Sequence, residues 1–159
     1  MTMTIRQVPA HEAMRLLPLL RQGQAFHAAA LPDVFRTDQG DAELGAYLEE
    51  WLAGDGVVAL AALSEAGAVI GCAVFEIEEV AERPLLRARR NGLLKHIVVD
   101  ADHRGAGIGT RLVAEVKARL RADGIGRVRA HHYGFNAASA AMLRRAGLVP
   151  HVVTVEGDT

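Results

Sequence analysis

Between Val99 and Thr110 the chain reads Asp100-Ala101-Asp102-His103-Arg104-Gly105-Ala106-Gly107-Ile108-Gly109, with three glycines at every second position. A glycine-rich turn that joins a strand to a helix lets backbone N–H groups close on a ligand. The helix dipole favours negative charge at the same place. A pyrophosphate meets both conditions, and Arg104 adds a charge-assisted contact or shapes the turn. Two rival phosphate turns do not fit. The dinucleotide fingerprint needs a glycine where Thr110 stands and an acidic ribose partner about 20 residues on, where the chain reads Arg129-Ala130-His131. A P-loop needs a lysine that Gly109-Thr110-Arg111 lacks.

Proton-transfer groups lie on either side of this turn. Lys95 and His96 interrupt the apolar run from Leu93 to Val99, Glu76 and Glu78 alternate along another run, and His131-His132-Tyr133 follows a third. The seven histidines show no metal spacing beyond the adjacent pair, and neighbouring strand residues point to opposite faces. No metal is expected. Cys72 is the single cysteine, which excludes an internal disulfide framework, and Gly71-Cys72-Ala73 reads as a buried strand thiol.

The elements that must position these groups follow from periodicity. Thr4–Val8 reads as a strand closed by Pro9, and an amphipathic helix follows on Ala13, Leu16, Leu17 and Leu20. Leu31–Phe35 reads as a loop. A second helix starts near Asp41 as its N-cap, with a stripe of Leu44, Tyr47, Leu48, Trp51 and Leu52 that places both aromatics in the core. Val57–Leu63 and Ala68–Glu79 form a hairpin, and Glu82–Gly92 is an Arg-rich connection. Leu93–Val99 reads as a buried strand. A long helix carries Ile108, Leu112, Val113, Val116 and Leu120, and the next strand is Val128–Tyr133. Asn136 caps a last helix to Ala146, and Val152–Glu156 is a final strand. Strict alternation puts Leu93, Lys95 and Ile97 on one sheet face and Leu94, His96 and Val98 on the other.

Half of the 159 residues are apolar and 23% are charged, enough for one globular domain over residues 1–159. Residues 1–100 carry nine basic and fourteen acidic side chains, and residues 101–159 carry nine and five. A mildly positive second half suits a small anionic ligand, while the net charge of −1 argues against a nucleic-acid partner. No apolar run approaches a membrane span, and no signal pattern opens the chain, so a cytoplasmic protein without a membrane partner is expected.

Arg104-Gly105-Ala106-Gly107-Ile108-Gly109 resembles the (Q/R)-x-x-G-x-(G/A) signature of the GNAT superfamily of N-acetyltransferases. The resemblance takes in Ile97-Val98-Val99 upstream and Asn136-x-x-Ser139 and Gly147-Leu148 downstream. It is strong over residues 93–148 and looser before them, where the element order still fits. It implies an α/β GNAT fold: a mixed, mostly antiparallel sheet with a central splayed parallel strand pair and helices on both faces. Acetyl-CoA would lie in the splay between Leu93–Val99 and Val128–Tyr133. The backbone of Ile97, Val98 and Val99 would pair with the pantetheine arm. The turn from Arg104 through Gly105, Ala106, Gly107, Ile108 and Gly109 to Thr110 would hold the pyrophosphate. Asn136 would contact the arm, with Ser139 nearby, although Asn136 also reads as a plain N-cap.

The chain departs from the family where the catalytic groups should be. Many members carry a tyrosine seven residues after the motif asparagine to protonate the leaving thiolate, and here that position is Leu143. Tyr133 is the only nearby phenol, and solvent is the alternative donor. Bases on the first splayed strand usually match Leu93 or Lys95, neither of which suits the task. His132, at a position where one branch of the family carries an acidic base, is the preferred base. Glu76 and Glu78 are its rivals, while His96, turned by alternation to the opposite face, reads as a packed histidine. Lys95 and Glu76 also read as contacts to the acceptor, and Lys95 with the Arg83, Arg87, Arg89 and Arg90 cluster favours an acidic or zwitterionic amine. The implied activity is direct acetyl transfer from acetyl-CoA to a small-molecule amine in a ternary complex. An acyl-CoA binding or sensing module with little catalysis is the alternative, favoured by Leu143, and a protein N-acetyltransferase is a third reading. One strand after the last helix would leave an exposed sheet edge through which a homodimer could form.

Overall fold

The computed structural model describes residues 2–158. Five strands follow the chain order across one sheet: β1 (Thr4–Val8), β2 (Val57–Leu63), β3 (Val69–Val80), β4 (Arg89–Val99) and β5 (Val128–Ala130). Every neighbouring pair is antiparallel except β4 and β5, which are parallel. Four helices complete the fold: α1 (Leu17–Ala30), α2 (Asp41–Leu52), α3 (Ile108–Ala122) and α4 (Ala137–Arg145).

Side-chain alternation divides the core into two layers. On one face Leu60, Ala73, Phe75 and Leu94 pack against Ile108, Leu112, Val116 and Leu120 of α3 and Leu143 of α4. On the other, Ala59, Ala61, Cys72, Val74 and Val98 pack against Leu17 and Leu19 of α1 and Leu48 and Leu52 of α2. Helices thus cover both faces, as expected. Gly92 belongs to the first layer by necessity, because a methyl group there would overlap the side chain of Leu120.

One irregularity in β4 decides where the functional side chains point. Val74 faces His96 and Phe75 faces Leu94, so Lys95 is an extra, bulged residue without a cross-strand partner on β3. Strict alternation therefore fails here. Leu94 shares the α3 face with Ile97, while His96 shares the α1 face with Val98. The parallel ladder with β5 ends at the bulge, its last pair being Leu94 with Ala130. Strand β5 is accordingly shorter than the expected Val128–Tyr133, and β4 longer than the expected Leu93–Val99.

Other expectations are corrected by local physics. The helix after Pro9 is broken into a 3-10 segment, Ala10–Leu16, and α1, because Pro18 has no N–H to continue the first ladder. Gly40 rather than Asp41 is the N-cap of α2, and the Asp41 carboxylate instead accepts from Arg21 Nε at 2.7 Å. Tyr47 is exposed rather than core, lying against Trp51 on the solvent side of α2. The final strand Val152–Glu156 does not form. Its valines are exposed, since β-branched residues make a strand only where a neighbouring strand and an apolar face receive them. The parallel pair therefore sits at one edge of the sheet and not at its centre.

Candidate active site

The glycine turn owes its shape to two backbone conformations. Gly105 and Gly107 have φ of +82° and +78°, a region that side chains disfavour, and a Cβ on either would meet open space. Openness and handedness together leave the turn's amides accessible. Gly107 is the N-cap of α3 and offers no side-chain cap, and the first turn of α3 has no acidic residue. The first N–H groups of the helix, from Ile108 to Thr110, therefore stand ready for an anion. Gly109 is glycine for another reason: it is buried, with Met142 of α4 3.2 Å from where its Cβ would be. Ile108 is a core residue. Arg104 turns back, its Nε donating to Val99 O at 3.2 Å, so it shapes the turn.

The approach to this turn is an unpaired strand edge. From His96 to Val99, β4 pairs with β3 on one side and with no strand among the described residues on the other. The backbone of Ile97, Val98 and Val99 can thus receive an extended chain of amides, as the pantetheine arm is. An open edge leading into an uncapped, left-handed glycine turn fits acetyl-CoA, by the chemistry of its donors alone.

An unforeseen buttress holds the approach. Asp100 accepts from Gln22 Nε2 at 2.8 Å, from His103 Nδ1 at 2.9 Å and from Asp102 N at 3.1 Å. Gln22 Oε1 in turn accepts from Ala101 N at 3.1 Å. These bonds, the one from Gln22 foremost, hold the Asp100 carboxyl below its ordinary pKa. Helix α1 is thereby fastened to the strand end that precedes the turn.

The remaining sequence candidates separate. Asn136 is the N-cap of α4, its Oδ1 accepting from Ser139 N at 3.0 Å, which leaves the Nδ2 hydrogens as donors for a ligand. Ser139 is half-buried in the first turn of that helix. His132 is exposed, and its Nδ1 donates to the carbonyl of Tyr133 at 3.0 Å. Lys95 Nζ lies 3.3 Å from Glu76 Oε1, so the two acceptor-side candidates form an ion pair with each other. Glu78 is committed to Asn91 and Arg129, which hold its carboxyl below the ordinary range. Leu143 is buried in the α3 layer, far from any polar duty. Burial pushes the Cys72 thiol up to about 12, so it is no nucleophile near neutral pH. His96 is half-buried beneath α1, and its enclosed Nε2 has no hydrogen-bond partner among the described residues. Burial, with a smaller contribution from the charge of His27, lowers its pKa to about 4.

A second feature escaped the sequence reading altogether. Four aromatic rings surround His27 near the end of α1: Phe26, Phe35, Tyr133 and Phe135, with ring centroids 5.1–5.8 Å from its own. They come from α1, from the loop after it and from the loop between β5 and α4. The cluster ties the end of α1 and the loop after it to the chain that leaves β5. No spacing could reveal it, because its members are up to 109 residues apart in the chain, from Phe26 to Phe135.

Among the described residues no group of three or more His, Cys, Asp or Glu could hold a metal ion. No helix among them is long and apolar enough to cross a membrane. Solved structures share the fold. A tetramutant of the BH1408 protein from Bacillus halodurans superposes with a TM-score of 0.87 at 18% identity, covering 98% of this chain and 99% of that one. The aminoglycoside N-acetyltransferase AAC(6')-Iy in complex with CoA gives 0.77 at 19%, covering 99% and 95%. A ribosomal-protein-alanine N-acetyltransferase from Brucella melitensis biovar Abortus 2308 gives 0.74 at 20%, covering 99% and 100%. No curated protein matches the sequence. The family model for acetyltransferases of the GNAT type matches residues 25–148, which span the aromatic cluster, the open edge and the glycine turn, and the chain belongs to that family.

Proposed function

We propose that this acetyltransferase moves an acetyl group from acetyl-CoA directly to a small-molecule amine within a ternary complex, as a single domain acting in the cytoplasm. The observation that carries the reading is the free edge of β4 running into an uncapped, left-handed glycine turn. In this reading the amides of Gly105 to Thr110 take the pyrophosphate and Arg104 braces them. The backbone of Ile97, Val98 and Val99 pairs with the arm, and Asn136 Nδ2 donates to it beside Ser139. Acetyl-CoA supplies the acetyl thioester. Tyr133 lies at the open end of the gap and gives the leaving sulfur its proton. His132 is a candidate acceptor for the amine's proton. The Lys95–Glu76 pair offers both signs of charge to an acceptor that carries a carboxylate or a second amine.

Leu143 supports a second reading, an acyl-CoA binding module with little turnover. Calorimetric titration with acetyl-CoA, CoA and NAD, followed by thiol release across an amine panel, separates the two. The panel should include an aminoglycoside and a peptide with N-terminal alanine, the acceptor types named for two structural neighbours. Binding of both CoA species but not NAD, with thiol release for one amine class, supports the enzyme. Binding without release supports the module. Binding of neither overturns both.

A further inference from the structure

We propose that His27, rather than His132, is the general base that takes the proton from the acceptor amine. The proposal rests on the acetyl-transfer reading and deepens it.

Three observations converge on this residue. The first is its place. Helix α1 crosses β4 at Gly23, where an added Cβ would lie 3.0 Å from Val98 and 3.6 Å from His96. One turn further along the helix, His27 meets Tyr133, which stands beyond the end of β5. His27 therefore overhangs the gap between the open edge of β4 and the chain that leaves β5. That is the side from which an amine can reach a thioester held in the gap.

The second observation is its tautomer. His27 Nδ1 lies 2.8 Å from the carbonyl oxygen of Gly23. A carbonyl can only accept, so Nδ1 carries the hydrogen and the Nε2 lone pair is left free. A base needs this arrangement: one nitrogen fixed by a main-chain acceptor, the other turned to the reaction. The third observation is rigidity. Four rings pack around the imidazole and restrict its rotation, and Tyr133, the sulfur's proton donor, is one of them. His132 has the same tautomer but neither the burial nor the packing, and it bonds only the carbonyl of the next residue.

The step balances. His27 Nε2 takes a proton from the amine nitrogen as that nitrogen's lone pair forms the C–N bond to the acetyl carbon. Tyr133 Oη gives its proton to sulfur as the C–S bond breaks. Proton exchange with solvent, or from imidazolium to tyrosinate, restores both side chains. The titratable groups facing His27 are Tyr133 from the β5–α4 loop and His96 from β4.

The test compares His27→Ala and His27→Gln with the wild type, using acetyl-CoA and whichever amine of the panel releases thiol. The glutamine variant keeps a donor for the Gly23 carbonyl and much of the packing, but it cannot take a proton. Both variants should bind CoA within twofold of wild type by calorimetry. Both should lose about 10²–10⁴-fold in kcat, the usual range for a general base. Added imidazole should restore part of the alanine variant's rate. Independently of turnover, nitrogen-15 spectra of histidine-labelled protein should show His27 protonated at Nδ1, free and with CoA. Turnover of His27→Gln within threefold of wild type would overturn the proposal, as would an Nε2-protonated His27. Absence of thiol release by the wild type for every amine would overturn the acetyl-transfer reading and this inference with it.

Discussion

At Gly107 the backbone has a left-handed φ and the surrounding space is open, so a side chain would be strained there yet collide with nothing. Gly107→Asp adds about 1–2 kcal/mol of strain and a negative charge where an anion should sit. Calorimetry should show at least a tenfold loss of acetyl-CoA affinity while the circular dichroism spectrum is kept. Unchanged affinity would place the cofactor elsewhere. His96 allows a test of stability against pH. Its pKa is lowered to about 4 in the fold, from 6.5 for a free side chain, so between those values the unfolded chain binds a proton that the folded one does not. Its contribution is therefore complete above pH 6.5 and lost as the pH falls toward 4, amounting to roughly 3 kcal/mol. Urea melts should reveal that slope in the wild type and a flatter one in His96→Leu. The turn was legible in the sequence because local backbone geometry demands glycine. Gln22 and Asp100 were not, since their bond joins residues 78 apart and each alone is an ordinary polar side chain.

The elements were legible to the extent that their periodicity was unbroken. Strands β1 and β2 have the limits that the sequence pattern suggests. The bulge at Lys95 was not legible, because one extra residue leaves the apolar run intact while exchanging the faces of everything before it. This is why Leu94 falls on the α3 layer with Ile97, while His96, after the bulge, stays with Val98 under α1. Helix α1 lies close to β4 at residue 23, where even a Cβ would come 3.0 Å from Val98 Cγ2. Gly23→Leu should overpack the layer by about 1–3 kcal/mol. The melting temperature should fall by several degrees in a thermal scan, and CoA binding should weaken as the strand shifts. A melting temperature equal to wild type would show that the crossing yields freely.

Across the whole molecule, the sheet ends at β5, a strand of three residues whose outer side bonds no other strand among the described residues. The exposed Val152, Val153 and Val155 follow it in the chain without forming the expected strand. Pairing of two copies along this side would cover both features, and light scattering should then give twice the 17.0 kDa chain mass. A monomeric mass would remove the homodimer. Helix α1, meanwhile, holds the loop before the glycine turn through Gln22 and presents His27 over the gap, five residues later. A helix rises about 1.5 Å per residue, so the two attachments are separated by only about 8 Å of rigid rod. Such a rod cannot tilt at one end alone. On the proposed mechanism, a donor that settled the loop would therefore also fix the imidazole, so that productive binding of the acceptor would follow that of the donor.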